Sequence, residues 1–298
     1  MASGRSAAAT CRNLARVTLT RTQVRSLLDR HGISPKRSLG QNFVVEPNTV
    51  RRIVELAGVA PGDRVLEIGP GIGSLTLALL EADADVVAVE IDDVLVGVLA
   101  EVTGEYPPER IRIVHSDAMA VDWDDLLGDG PWALVANLPY NISVPLVCDL
   151  LDAVPAIHRM VVMVQREVGE RLVAAPGDDA YGLPSLKVAF HAEARLLGRV
   201  PPSVFLPRPR VDSALVEVVR RPSPVVDADP AVLFSLARAG FGQRRKMLRR
   251  SLRALVDEGG LEAAGVEPTA RAEELGLAQW ADLARQVSGA GTAGGAGG

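Results

Sequence analysis

Short apolar runs alternate with helical periodicities through the first half of this chain, and that alternation restricts it to one fold class. The runs Arg64–Ile68, Asp85–Val89, Ile111–Val114, Trp132–Ala136 and Met160–Gln165 have the length and composition of buried strands. Leu75–Glu81 and residues 92–102 lie between them with helical spacing. Residues 22–31 and Asn48–Ala57 precede them, the latter with Val50, Ile53, Val54 and Ala57 on one face. Strands joined through helices pair in parallel, because only a long crossover returns the chain to the same end of the sheet. The expected architecture is α/β: a doubly wound, Rossmann-like parallel sheet.

The pattern breaks in a proline-rich stretch, residues 201–209. After Pro222 and Pro224 only helical periodicity remains, near residues 230–239, 244–257 and 269–286, which predicts a smaller all-α domain. The expected division is a partly disordered N-terminal extension (1–30), an α/β domain (31–221), a helical domain (222–287) and a disordered Gly/Ala tail (288–298). The first twenty residues are rich in Arg, Ser and Ala, with no acid before Asp29, a composition shared by transit peptides and disordered basic arms.

Charge is segregated. The chain carries −5 overall, yet residues 1–60 carry +7, residues 61–130 carry −13 and residues 181–226 carry +4. Net acidity argues against indiscriminate nucleic-acid binding, while the basic stretches leave room for a directed contact. Two cysteines (Cys11 and Cys148) and four scattered histidines have no metal-ligand spacing, so neither a metal site nor a disulfide framework is expected. No apolar run is long enough to span a bilayer. A monomer in the cytoplasm, without membrane attachment, is the expectation.

In an open parallel sheet, ligands bind beyond the carboxyl ends of the strands. There the first strand runs into Glu67-Ile68-Gly69-Pro70-Gly71-Ile72-Gly73, a bend that opens a helix. Glycines let backbone approach a ligand closely. Glu90 ends the second strand 21 residues after Gly69, where a carboxylate can accept both hydroxyls of an adenosine ribose. Asp117 follows the third strand and can accept from an adenine amino group. Nicotinamide enzymes share such a bend. The spacing Gly-x-Gly-x-Gly and the acid Glu67 before it favour S-adenosylmethionine over NAD, with an NAD-dependent oxidoreductase as the alternative from another class.

The fourth strand stops at Asn137-Leu138-Pro139-Tyr140. The N6 amine of adenine is a weak nucleophile because its lone pair is delocalised into the ring. Methylating it calls for acceptors on both N–H groups, and the Asn137 side-chain oxygen with the Leu138 carbonyl can supply them. Pro139 stiffens the loop, and Tyr140 offers a face on which an unstacked base can rest.

These segments together resemble the ribosomal RNA adenine dimethyltransferase family, and within it the KsgA-type, small-subunit branch. The resemblance runs from about Arg37 to Leu255. It includes Ser38-Leu39-Gly40-Gln41-Asn42-Phe43-Val44, Glu67-Ile68-Gly69-Pro70-Gly71, Val89-Glu90-Ile91-Asp92, Ser116-Asp117-Ala118 and Asn137-Leu138-Pro139-Tyr140. Met163-Val164-Gln165-Arg166-Glu167-Val168, Val204-Phe205-Leu206-Pro207, Val211-Asp212-Ser213-Ala214 and Phe241-Gly242-Gln243-Arg244-Arg245-Lys246 continue it. It implies a class I methyltransferase sheet and N6 dimethylation of two adjacent adenines near the 3′ end of 16S RNA in the assembling 30S subunit. S-adenosylmethionine would be held by Asn42, Val44, Gly69, Gly71, Glu90, Asp117 and Asn137. The resemblance alone gives Phe205 a role, as the partner of Tyr140 in sandwiching the flipped adenine. Gly242 departs from the bulkier residue expected there. The related Erm-type branch, which acts on 23S RNA, is the nearest alternative.

RNA contacts are expected on a helix spanning residues 244–256. At about 100° per residue, Arg245, Lys246, Arg249, Arg250 and Arg253 fall within an arc of about 140°, opposite Leu248, Leu252 and Leu255. Arg244 falls on the apolar side and is unexplained by that scheme. Lys36 and Arg37 lie in the loop beside the expected cofactor site and can grip the same RNA.

Overall fold

The computed structural model describes residues 18–36 and 39–293. In chain order the elements are α1 (Arg21–Arg30), β1 (Phe43–Val44), α2 (Pro47–Ala57), β2 (Arg64–Ile68), α3 (Ser74–Glu81), β3 (Asp85–Glu90), α4 (Asp93–Thr103) and β4 (Ile111–His115). There follow α5 (Trp123–Leu127), β5 (Trp132–Asn137), α6 (Ser143–Ala153), β6 (Ile157–Gln165), α7 (Arg166–Val173), α8 (Leu183–His191), β7 (Ala192–Val200), β8 (Phe205–Leu206) and β9 (Ser213–Arg220). The helices α9 (Pro230–Gly242), α10 (Leu248–Ser251), α11 (Glu258–Ala263) and α12 (Leu277–Ala293) complete the chain.

Seven strands form one sheet in the order β4-β3-β2-β5-β6-β9-β7. The first five are parallel, as expected, while β9 pairs antiparallel with both β6 and β7. From β2 the chain winds outward through β3 and β4; from β5 it winds the other way. The switch point therefore lies between β2 and β5, where a crevice opens at the strand ends. One face of the sheet packs Leu66, Ile68, Leu134 and Val162 under α6 and α7; the other packs Val65, Val135 and Val161 with Ile53 of α2 and Leu79 of α3. Strands covered on both sides read as unbroken apolar runs, which is why β2, β3, β5 and β6 were legible, whereas β4 at the edge is only partly buried.

Local signals set the helix ends. Pro47 occupies the first turn of α2, where its missing N–H costs nothing, and Gly58 ends the helix at φ 61°. Asp92 caps α4 by accepting from the Val94 N–H. Thr20 and Gln23 form a capping box on α1. Val24, Leu27 and Leu28 of α1 are buried with Phe43, Ile72 and Leu77, so residues 18–30 add to the core of the α/β body instead of extending from it.

The helical region has its own core around Trp280, Leu233, Leu236 and Leu283, joined to the α/β body through Leu186 and Phe190 of α8. One expected helix is absent. Residues 243–247 turn, only Leu248–Ser251 is helical, and Asp257 caps a separate α11. Met247 bridges to Arg271, and Arg244 pairs with Glu273 while donating to the Asp179 carbonyl. These tertiary contacts override the helical periodicity of 244–257. Gly242 faces open space, so its small size leaves no packing defect. The final helix runs on to Ala293, past the expected start of the tail at 288. No described helix is long and apolar enough to cross a membrane.

Candidate active site

A cleft of about 290 Å³ opens where β2, β3, β4 and β5 end. Its walls come from residues 39–44, the glycine bend after β2, the ends of β3 and β4, and the loop after β5. Asn42, Val44, Gly69, Gly71, Glu90, Asp117 and Asn137, expected to hold a cofactor, all line it.

The glycine bend is shaped by what packs on it. Gly69 has φ 69° and Gly71 φ 60°, both in the left-handed region that favours glycine. A Cβ on Gly69 would stand 3.1 Å from the Pro139 ring, and one on Gly71 3.0 Å from the Phe43 ring. The bend is therefore pressed between the loop after β5 and strand β1.

Two carboxyl groups lie in the cleft floor with different hydrogen-bond partners. Glu90 is buried, and its carboxylate accepts from three backbone N–H groups: Gly71 at Oε2, and Ile91 and Asp92 at Oε1, each at 3.0 Å. Burial raises its pKa, opposed by those three donors. Glu67 is 1% exposed and accepts from the Thr76 hydroxyl at 2.6 Å. Burial, aided by the nearby Glu90 charge, pushes its pKa up to about 8. At neutral pH Glu67 is thus mostly protonated, while Glu90 is the carboxyl oriented by the backbone. Asp117 is exposed at the rim, with Oδ1 accepting from the Met119 N–H at 2.9 Å.

The loop after β5 is fixed from several sides. The Leu138 N–H donates to Met163, the Ile142 N–H to the Pro139 carbonyl, and the Ser143 hydroxyl to the Tyr140 carbonyl. The Asn137 amide donates through Nδ2 to the Asn42 carbonyl at 3.0 Å. Its Oδ1 is buried without a hydrogen-bond partner. An orphaned buried acceptor is uncommon and costs roughly 1–3 kcal/mol.

Tyr140 is half-buried beside the cleft, its hydroxyl 2.7 Å from that of Ser213, a fully buried residue at the start of β9. Burial raises the phenol pKa against that hydrogen bond. Phe205 does not join it. The ring is 1% exposed, packed with Val44, Met163 and Leu215, while its backbone pairs with Val44. Of the two aromatics expected to sandwich a base, Tyr140 is thus half-buried and Phe205 lies in the core with β8 tied to β1.

The basic residues also need correction. Lys36 donates to Asp92 Oδ2 at 2.7 Å, and Gln41 Nε2 donates to the same oxygen at 3.2 Å. Asp92, although burial opposes it, is held below its ordinary pKa by these donors. The Lys36 side chain is still 53% exposed, and the contact ties Lys36 and Gln41 to the head of α4. Arg37 lies outside the described residues. Arg245, Lys246, Arg250 and Arg253 are exposed, and Arg249 is half-buried 3.9 Å from Glu258. They surround a turn and a one-turn helix and do not form one helical stripe.

Sequence reasoning missed the Lys36–Asp92 pair and the Ser213 anchor. Val211-Asp212-Ser213-Ala214 drew notice as a segment, but nothing local pairs Ser213 with a tyrosine 73 residues away.

Comparison with known proteins bears on this geometry. Residues 32–288 match the model of the family described as ribosomal RNA adenine dimethylase. The ribosomal RNA small subunit methyltransferase A of Streptomyces avermitilis is 50% identical over 270 residues, covering 88% of this chain and 91% of that protein. Its namesake in Kineococcus radiotolerans is 49% identical over 284 residues, covering 93% and 94%. Among solved structures, a dimethyladenosine transferase from Plasmodium falciparum superposes with TM-score 0.72 at 24% identity, covering 84% of this chain and 98% of that one. The 23S rRNA methyltransferase ErmE superposes with TM-score 0.61 at 27% identity, covering 83% and 99%.

Proposed function

The chain belongs to the ribosomal RNA adenine dimethylase family, and we propose that it transfers two methyl groups from S-adenosylmethionine to N6 of each of two adjacent adenines in the 3′-terminal hairpin of 16S RNA. The observation that carries the reading is the buried, unpartnered Oδ1 of Asn137 at the edge of a cleft with a carboxylate floor.

The cleft fits a cationic nucleoside cofactor. Glu90, held by three backbone donors, offers its remaining lone pairs to the ribose hydroxyls and its charge to a nearby cation. Asp117 accepts from the cofactor's adenine amine. The cofactor supplies an electrophilic methyl group on a sulfonium. The chain's work is then alignment. Asn137 Oδ1 and the Leu138 carbonyl accept the two N–H groups of the target amine and draw its lone pair out of conjugation. Pro139, wedged against Gly69, keeps those acceptors in register with the cofactor bend. Tyr140, held by Ser213, supports the extruded base. The N6 proton is lost to water once nitrogen is alkylated, so no side chain need act as a strong base.

The same reading has residues 31–221 hold the cofactor and residues 222–287 contribute Arg245, Lys246, Arg249, Arg250 and Arg253 to RNA binding. The protein would act as a monomer on the assembling 30S particle, in the cytoplasm, without a metal. About 50% identity to small-subunit enzymes, against 27% to a 23S enzyme, favours the 16S target.

The test is incorporation of labelled methyl groups into under-methylated 30S particles, with 23S RNA alongside. Dimethyladenine in 16S RNA is the expected product. Label confined to 23S RNA would overturn the choice of substrate, and tight NADH binding without adenosylmethionine binding would overturn the chemistry.

A further inference from the structure

We propose that the loop formed by residues 207–212 is a phosphate clamp at the mouth of the acceptor site, with Arg208 and Arg210 gripping the RNA backbone next to the extruded adenine. The proposal deepens the RNA-methylation reading and rests on it.

Position is the first argument. The loop leaves β8, whose Leu206 pairs with Phe43 in the cleft wall. It enters β9 at Ser213, which pairs with Gln165 and anchors the Tyr140 hydroxyl. A span of six residues is thus fastened at one end to the cofactor cleft and at the other to the side chain proposed to support the base.

Rigidity is the second. Pro207 and Pro209 flank Arg208 and restrict the backbone. The Asp212 carbonyl accepts from the Arg166 N–H at 3.0 Å, and its carboxylate pairs with Arg199 at 2.5 Å. A stiff stalk loses little entropy when its side chains take hold of a ligand.

Charge is the third. Asp212 is the loop's only acid, and Arg199 already neutralises it. Arg208 and Arg210 are exposed, and neither makes an ion pair among the described residues. The structure thus leaves two uncompensated guanidinium groups beside the acceptor mouth, and their planar forks match phosphate oxygens. Lys36, the cation expected on this side of the cleft, already pairs with Asp92, whereas Arg208 and Arg210 have no such partner among the described residues.

The experiment compares the wild-type full chain with R208A/R210A and R208K/R210K in steady-state methylation of under-methylated 30S particles between about 50 and 200 mM salt. The double alanine variant should raise KM for the particle and flatten the dependence of log KM on log salt by about 1.4–1.8, the loss of two phosphate contacts. Its kcat and its Kd for S-adenosylhomocysteine should stay at wild-type values, and the double lysine variant should keep most of the salt slope. An unchanged KM and slope in the folded double alanine variant would overturn the clamp. So would a weakened Kd for S-adenosylhomocysteine, which would make the loop a support for β1. Absence of any methyl transfer by the wild type would instead fail the underlying reading.

Discussion

Replacing Asn137 by Ala separates catalysis from folding, because the structure gives the side chain two roles of opposite sign. Its Nδ2 satisfies the Asn42 carbonyl at 3.0 Å, and loss of that donor costs roughly 1–3 kcal/mol if no water replaces it. Its Oδ1 is buried without a partner, and removing it returns a penalty of the same order. The two nearly cancel, so net stability should change by no more than about 1 kcal/mol, or about 2–4 °C in Tm for a chain of this size. Catalysis has no such compensation. An acceptor aimed at an amine that gains positive charge in the transition state resembles a single oxyanion-hole donor, worth about 2.7–4 kcal/mol. We expect kcat to fall ~10²–10³-fold, with the Kd for S-adenosylhomocysteine within a few-fold of wild type. Single-turnover methyl transfer beside a thermal melt reads both quantities. A variant with wild-type turnover, or one that loses activity only because it unfolds, would refute the reasoning.

Glu67 makes stability depend on pH. An unfolded glutamate ionises near 4.5, whereas burial keeps the folded carboxyl protonated up to about 8. Between those values the folded state holds a proton the unfolded state has released, so stability falls as pH rises and levels off above the folded pKa. Urea midpoints should decline across that window, and Glu67→Gln should remove most of the decline. Gly69→Ala should lower both kcat and the affinity for S-adenosylhomocysteine, read by single-turnover transfer and titration, because φ 69° strains alanine and its Cβ would push against Pro139 at 3.1 Å. Arg244→Ala should lower Tm by the equivalent of about 1 kcal/mol, since Arg244 is only partly exposed and joins Glu273 to the Asp179 carbonyl. Arg245→Ala should leave Tm unchanged and weaken RNA binding; the opposite pattern would contradict the reassignment of that segment.

Much of the α/β body was legible because its central strands are covered on both faces and their chemistry stands at strand ends. The placing of Glu90, Asp117 and Asn137 in one cleft needed only the rule that ligands gather beyond the carboxyl edge. What the sequence hid depends on partners far away. Strand β7 lies at the sheet edge and carries Glu193, Arg195 and Arg199, so it lacks the apolar run that betrays β5. The helix expected over 244–257 satisfied helical spacing at Leu248 and Leu252, yet the Met247–Arg271 bridge and the Arg244–Glu273 pair bend the chain away from it. Nothing near Lys36 in the sequence signals its pair with Asp92, 56 residues on, which only the fold brings to it. Phe205, whose surroundings in the sequence are those of a core aromatic, is 1% exposed in the fold.

In the proposed mechanism one crevice aligns a donor methyl with an amine held by Asn137. The most direct test is a crystal structure with S-adenosylhomocysteine and an adenosine analogue bound together. Ribose hydroxyls within about 3 Å of Glu90, and an exocyclic amine at the same range from Asn137 Oδ1 and facing the sulfur, are the predicted result. A ligand bound elsewhere, or an amine turned away from Asn137, would contradict it.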